Sequence, residues 1–370
     1  MKGKIFVFLL IVAISLTGTT SIGYNIKANN QFTHAVFAEI GVDASQKSIS
    51  AENMLYDIYL SKKYPFYYVS MVSDEMEEAK ERMEDYNIYG YPTAFFDGGK
   101  EVIYDVPEST SYYEDAIISA GSRETPNVEI NLTAEWILCP CQRGITAEVT
   151  ISNYEPFLYK GTLIIYITEI YSRWGSNSIP YHFGFMGYAL NESIVISPHS
   201  SYYTYGYWNP EAYNFHGIEA NDMSNFMVFA VLFNQTEHDA YAFPPNKNLF
   251  HAYYVDSTAA YRVENSNLPP IVKITEPEEG YIYFYGRQIM ESGDTILIGG
   301  ALLSAYASDD FGVKKVEFYV DDELKKTITE KPYQWTWDEM AIGKHEIKAV
   351  AYDEMDSKAS DKIQIKIFNI

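Results

Sequence analysis

The spacing of hydrophobic and polar residues changes twice along the chain, and those changes divide it. Residues 34–123 mix two periods. The mainly apolar stretches 34–41 and 66–72 read as buried strands. Helical spacing links Ala51, Leu55 and Ile58 in a helix over 50–60, and Met76, Ala79 and Met83 in a second over 74–86. Asp74, with Glu77 three residues on, predicts a capped start for the second helix. Gly98-Gly99 predicts a hairpin turn between strands at 93–96 and 101–104, and 112–120 reads as a closing helix with Tyr113, Ile117 and Ala120 on one face. From Val128 the helical signal is lost. Residues 128–134 alternate apolar and polar, as a half-buried strand does, and further strands are predicted at 145–152, 161–170 and 226–233. The Tyr-rich stretch 171–221 reads as a long excursion with its own structure or function. Beyond 268 the alternation is cleanest. Val316, Phe318 and Val320 share the inner face, Glu317 and Tyr319 the other, and Trp335 and Trp337 lie on one side.

The N-terminus adds an address. Lys2 and Lys4 precede an apolar stretch at 5–16, followed by small and polar residues with Ser21-Ile22-Gly23 as a cleavage site. This is the layout of a secretory signal over 1–23 and is short for a bilayer span; a retained N-terminal anchor is the alternative. No other apolar run approaches the length of a membrane helix, so no span is expected in the mature chain. A secreted or cell-surface location follows. The net charge of −23 argues against nucleic acid and anionic membrane surfaces as partners. The 34 tyrosines fit sheet-rich domains. A length of 370 residues fits two or three domains.

Two resemblances sharpen the domain plan. Tyr89-Gly-Tyr-Pro-Thr-Ala-Phe-Phe-Asp-Gly-Gly99 is similar to the cis-proline loop and following strand of thioredoxin-like proteins, with Pro92 at the cis position. The order β-α-β-α-β-β-α over about 90 residues resembles that fold. Where the family carries Cys-x-x-Cys, this chain has Ser45, Gln46, Lys47 and Ser48. A serine hydroxyl supplies neither the thiolate nor the resolving thiol, so the resemblance implies a redox-inactive domain. The segment from Glu39 is also one residue shorter than the family layout and lacks the tryptophan before the first cysteine. Further on, Pro270-Ile-Val-Lys-Ile-Thr-Glu-Pro277, Ala307-Ser-Asp-Asp-Phe-Gly-Val-Lys-Lys-Val-Glu-Phe-Tyr-Val-Asp-Asp322, Pro332-Tyr-Gln-Trp-Thr-Trp337 and Gly343-Lys-His-Glu-Ile-Lys-Ala-Val-Ala-Tyr-Asp353 resemble bacterial and archaeal surface immunoglobulin-like modules. Such modules serve as spacers or adhesion units. The expected fold class is therefore multidomain: an α/β thioredoxin-like domain over 24–124, a β-sandwich over 127–265 and an Ig-like β-sandwich over 268–370. Asn267-Leu-Pro-Pro270 is expected to be a linker that limits contact with the last module.

Candidate chemistry is sparse. Ser45–Ser48 sits at a helix N-terminus, where amide groups favour anions, with Lys47 adding charge beside Pro92; the alternative is a loop in which Ser48 or Ser50 caps the helix. Cys139 and Cys141 flank Pro140 in a turn, and three readings stand: a small strained disulfide with a structural or a redox role, a pair of soft-metal ligands, or thiols unpaired or paired to another chain. Asn131, Asn191 and Asn234 open sequons. The histidines follow no metal-ligand spacing. Asp309-Asp310 with Asp353 and Asp356 reads as a Ca²⁺ loop or, alternatively, a solvated acidic loop. Neither a cofactor nor a resident metal is expected. The segments 181–188 and 200–209 are dense in aromatics, which stack on sugars, anchor interfaces or pack the sandwich's own core. The function expected is non-catalytic interaction or display outside the cell, toward an unknown extracellular protein or glycan. The alternatives are an exported thiol–disulfide protein using Cys139 and Cys141, and a carbohydrate-binding surface protein.

Overall fold

A computed structural model describes residues 32–139, 142–213, 220–263, 268–309 and 312–370. The expected signal segment, residues 1–23, lies outside the described residues, as do Cys141 and Asp310. The elements run β1 (Val36–Val42), α1 (Gln46–Ser61), β2 (Phe66–Val72), α2 (Glu77–Asp85), β3 (Thr93–Phe96), β4 (Glu101–Tyr104), α3 (Ser111–Gly121), β5 (Val128–Cys139), β6 (Gln142–Asn153), β7 (Tyr159–Ser176), β8 (Ile179–Ile196), β9 (Ser200–Trp208), β10 (Phe226–Phe243) and β11 (Lys247–Arg262). The C-terminal part adds β12 (Ile271–Glu276), β13 (Tyr281–Phe284), β14 (Arg287–Glu291), β15 (Ile296–Ile298), β16 (Ala301–Ser308), β17 (Val313–Val320), β18 (Glu323–Ile328), β19 (Tyr333–Trp337), β20 (Ala341–Asp353) and β21 (Lys358–Asn369).

The expectation of an α/β thioredoxin-like domain over 24–124 is overturned. Among the described residues 60% lie in strands against 13% in helix, and β1–β4 do not form a sheet of their own. They are half of an eight-stranded sheet ordered β11-β10-β7-β8-β2-β1-β3-β4. The junction is β2 against β8, where Ser70 faces Gly184 and the Ser70 hydroxyl donates to the His182 carbonyl at 2.8 Å. The physical reason lies in β2, whose seven residues are all buried and therefore need cover along a full strand. The Gly98-Gly99 turn fits the same fusion. Gly98 has φ +67, and a Cβ there would sit 2.0 Å from the Tyr253 carbonyl oxygen of β11. The Tyr91–Pro92 peptide is cis.

The long Tyr-rich excursion is also corrected. Residues 159–196 form a hairpin of two 18-residue strands, β7 and β8, and β9 follows it. β7 over 163–170 and β10 over 226–233 are buried on both faces. Ile164, Tyr166, Phe229, Val231 and Phe233 join the core of β1–β3 and the helices. Leu163, Ile165, Ile167, Val228, Ala230 and Leu232 join a second core against the three-stranded sheet β5-β6-β9.

The C-terminal module is a sandwich of β12-β16-β19 against β14-β13-β15-β21-β20-β17-β18. Val316, Phe318 and Val320 point into its core as the alternation predicts, beside Leu303, Ile347 and Ile365. Trp337 is fully buried and Trp335 only partly so. The preceding prolines do not hold the module away. Tyr56 Oη donates to the Asp309 carbonyl at 2.9 Å, Tyr306 Oη donates to Asn53 Oδ1 at 3.1 Å, and Lys331 pairs with Asp57 at 2.6 Å.

Two outcomes follow. A chain cut to residues 24–124 loses cooperative unfolding in urea, because β2 then exposes an apolar edge; a sharp two-state transition would contradict the shared sheet. Trp337→Ala costs about 3–5 kcal/mol by chemical denaturation of the full chain, and Trp335→Ala clearly less.

Candidate functional site

The start of α1 answers the anion-site reading first. Ser45 is the N-cap and its hydroxyl accepts from the Ser48 amide, so the helix begins earlier than its apolar spacing suggests. Both hydroxyls donate to Asp43 Oδ1, Ser45 at 2.5 Å and Ser48 at 2.7 Å. The chain's own carboxylate thus occupies the position an anion would take at this helix end. Lys47 pairs with Asp105 at 2.9 Å, and Gln46 Oε1 accepts from Asn177 Nδ2 at 3.0 Å. The tip of the β7–β8 hairpin closes over this turn: Tyr181 Oη donates to the Asp43 carbonyl and Ser176 Oγ to the Ala44 carbonyl. Asp74 does not cap α2, whose N-cap is Met76; its carboxylate accepts from the Ala44 amide instead.

Two buried polar clusters lie deeper. Glu39 on β1 receives Arg82 Nε at 2.9 Å and Nη2 at 2.8 Å, with Tyr86 and Tyr166 hydroxyls completing its oxygens. The second cluster joins three distant parts of the chain. Glu52 on α1 accepts from Tyr68 Oη at 2.5 Å and from the His182 amide at 3.0 Å. His182 Nδ1 lies 3.2 Å from Glu52 Oε1, and its Nε2 lies 2.9 Å from Ser308 Oγ. A serine, a histidine and a carboxylate in this order are the elements of a nucleophile and its base. Here Glu52 and His182 are 0% exposed and Ser308 2% exposed, and the Tyr56 ring stacks on the imidazole with 3.5 Å between centroids. All three side chains are enclosed, and together they tie the C-terminal module to the large sheet. Spacing gave no hint of it, since the three residues belong to separate segments.

The remaining sequence candidates sit apart. Cys139 ends β5 opposite Gln142, and its side chain lies outside the described residues, with Cys141. Asn131 and Asn191 are exposed. Asn234 Nδ2 is engaged by buried Asp256 at 2.6 Å, which leaves that sequon geometrically disfavoured for a glycan. Asp353 is buried and accepts from the Met355 and Ser357 amides, while Asp356 pairs with Lys314 at 2.6 Å; a turn-forming role accounts for both. Among the described residues no group of three or more His, Cys, Asp or Glu is arranged to hold a metal ion.

Of the aromatic segments, most rings pack the core: Tyr181, Phe183, Phe185 and Trp208 are buried. Tyr203 and Tyr205 are the exception, 60% and 66% exposed. They stand on the outer face of β5-β6-β9, whose inner face is core. Strand alternation and register put twelve outward side chains in a grid. Glu129, Ser152 and Ser201 form one row, Asn131, Thr150 and Tyr203 the next. Then come Thr133, Glu148 and Tyr205, and last Glu135, Thr146 and Tyr207. Successive rows lie roughly 6.8 Å apart and neighbouring strands about 4.8 Å. Burial, then the charge of Glu148 and its hydrogen bond, raise the Tyr203 phenol above its ordinary pKa. Sequence reading singled out the tyrosines; Glu148 and the hydroxyls beside them needed the register.

Comparison with known proteins places one part of the chain. Residues 291–349 match the bacterial Ig domain family. Such domains are often extracellular or surface-exposed, and this points to a surface or extracellular interaction protein. No curated protein matches the chain significantly. Among solved structures, the fibronectin(III)-like modules of Clostridium thermocellum CbhA align at 27% identity over 27% of this chain and 95% of theirs, with a TM-score of 0.20. Red sea bream transglutaminase aligns at 12% identity over 70% of this chain and 34% of its own, also at 0.20. A calcium-binding mutant of Bacteroides uniformis β-glucuronidase 2 aligns at 10% identity over 47% and 22%, at 0.23. No described helix is long and apolar enough to cross a membrane.

Two predictions concern these sites. Burial alone would raise the Asp43 carboxyl, but the hydrogen bonds from Ser45 and Ser48 outweigh it and hold its pKa below the ordinary value. Its contribution is therefore fully present above the unfolded carboxylate pKa, near 3.9, and is lost as pH falls through the lower folded value. Ser48→Ala raises the Asp43 pKa in an NMR titration; an unchanged value would contradict the capping role. Separately, His182→Ala leaves Glu52 and Ser308 without their shared partner. It costs about 2–4 kcal/mol in chemical denaturation and speeds amide exchange in α1 and β16.

Proposed function

We propose that this chain is a non-catalytic carbohydrate-binding surface protein whose binding face is the outer side of β5-β6-β9. One observation carries the reading: two largely exposed tyrosine rings stand in line on a strand whose neighbours present hydroxyls, an amide and carboxylates on the same face. Aromatic rings stack on the C–H faces of sugars, and hydroxyl, amide and carboxylate groups bind sugar hydroxyls. The rigid sheet beneath fixes the rings, so little ordering cost falls on binding. The enclosure of Ser308, His182 and Glu52 supports a non-catalytic role. The Ig-like module acts as a spacer in this reading, firmly seated on α1.

The test is a glycan array with the exported chain, followed by calorimetry on the best ligand. Tyr203→Ala and Tyr205→Ala each weaken binding about tenfold or more, as expected where each lost stacking contact is worth 1–2 kcal/mol. Thermal stability stays within a few degrees of the parent, since both rings are exposed. Glycan binding that survives the double substitution would sink the proposal, and so would the lack of any glycan ligand.

A further inference from the structure

The charges around the tyrosines narrow the kind of glycan, if the carbohydrate reading holds. Among the twelve outward positions of the grid no lysine or arginine is present, whereas Glu129, Glu135 and Glu148 all point outward. Glu148 is the central one. It is exposed and pairs in register with Tyr205, and Tyr203 stands one row away on the same face, so a carboxylate lies beside two open rings. A carboxylate has two oxygens and room for several donors, so Glu148 has capacity for a ligand. Rings flanking a carboxylate form a cation-accepting surface: an ammonium gains the attraction of the ring faces together with a charge-assisted hydrogen bond. The surrounding potential acts in the same direction, because a chain of net charge −23 attracts cations and repels anions at long range. An acidic glycan would bring carboxylate or sulfate against three glutamates with no cation among the twelve outward positions.

We propose that this face binds a glycan carrying free amino groups, a chain of de-N-acetylated hexosamine lying along β9, with an ammonium seated on Glu148 between Tyr203 and Tyr205. Each sugar face stacks on a ring while the amine supplies the charge. N-acetylation removes that charge and replaces it with a bulkier neutral amide, so the acetylated chain keeps the stacking and loses the ion pair.

The experiment titrates the full chain with β-1,4-linked glucosamine oligomers, N-acetylglucosamine oligomers of equal length and galacturonic acid oligomers, each at low and at high salt. The expected result is that the glucosamine oligomers bind about tenfold tighter than the acetylated ones and weaken as salt rises, while the uronic acid oligomers do not bind. Glu148→Gln removes the preference for the free amine and leaves residual stacking affinity; Tyr203→Ala weakens both hexosamine ligands. If the acetylated oligomers bind as well as the free amines, and Tyr203→Ala still abolishes binding, the amine inference is overturned and the carbohydrate reading stands. If the preference survives Glu148→Gln, it comes from overall charge and the inference is likewise overturned. If none of the oligomers binds, or binding ignores both tyrosines, the inference falls together with the reading it rests on.

Discussion

β7 over 163–170 and β10 over 226–233 bury both faces, and this forces a layer onto either side of them. Even-numbered residues of β7, such as Ile164 and Tyr166, pack toward the first strands and helices, and odd-numbered ones, such as Leu163 and Ile165, pack toward β5-β6-β9. Neither side can leave without baring a row of aliphatic and aromatic side chains, at roughly 25 cal/mol per Å² of exposed apolar surface. The N-terminal strands and the middle region therefore share one core system. The same constraint fixes where the outer tyrosines stand. β9 holds its register on β6 from Ser200 opposite Asn153 to Trp208 opposite Ile145, and buried Trp208 anchors its far end.

Much of this local structure was legible. β2, β3 and β4 have the bounds that apolar runs and the Gly-Gly turn predict, and the buried stripe of α1 carries Ala51, Leu55 and Ile58 as its spacing requires. The C-terminal module was legible because its strands are half-buried and alternate. What could not be read was pairing between distant segments. The edge of β2 looks the same in sequence whether a domain ends there or β8 continues the sheet, and one register pair, Ser70 with Gly184, makes the difference. The stretch 171–196 misled for a related reason. Buried on both sides where it crosses the core, it loses period-two alternation, and its interspersed glycines resemble loop punctuation. Gly184 is in fact a close-approach position, where a Cβ would meet the Ser172 hydroxyl at 2.3 Å.

The candidate face shows the same division. Tyr203 and Tyr205 could be picked out by residue type and two-residue spacing, but nothing local separates them from Tyr202, which faces inward on the same strand. Glu148 lies more than fifty residues away in sequence and becomes relevant only through the β6–β9 register. Position at the start of a helix was a poorer guide. Ser45 and Ser48 occupy a place that suits an anion, but a neighbouring carboxylate, Asp43, satisfies that demand internally.

The buried polar clusters bear on what the outer face can do. Glu39 and Glu52 are both enclosed, and each has its oxygens engaged by groups from other elements. A buried carboxylate with a full set of partners adds little net stability over an apolar substitute, but it penalises every arrangement in which the partners are misplaced. Glu39 thereby sets α2 and β7 relative to β1, and Glu52 with His182 sets α1, β8 and the Ser308 end of β16. The Ig-like module is held at a defined orientation on the large sheet. The outer face of β5-β6-β9 is consequently presented at a fixed angle to that module, and under the proposed carbohydrate reading a long polymer suits such a rigid display. One short sugar needs only the two rings; a polymer gains affinity from each further contact that a stationary surface offers without additional ordering.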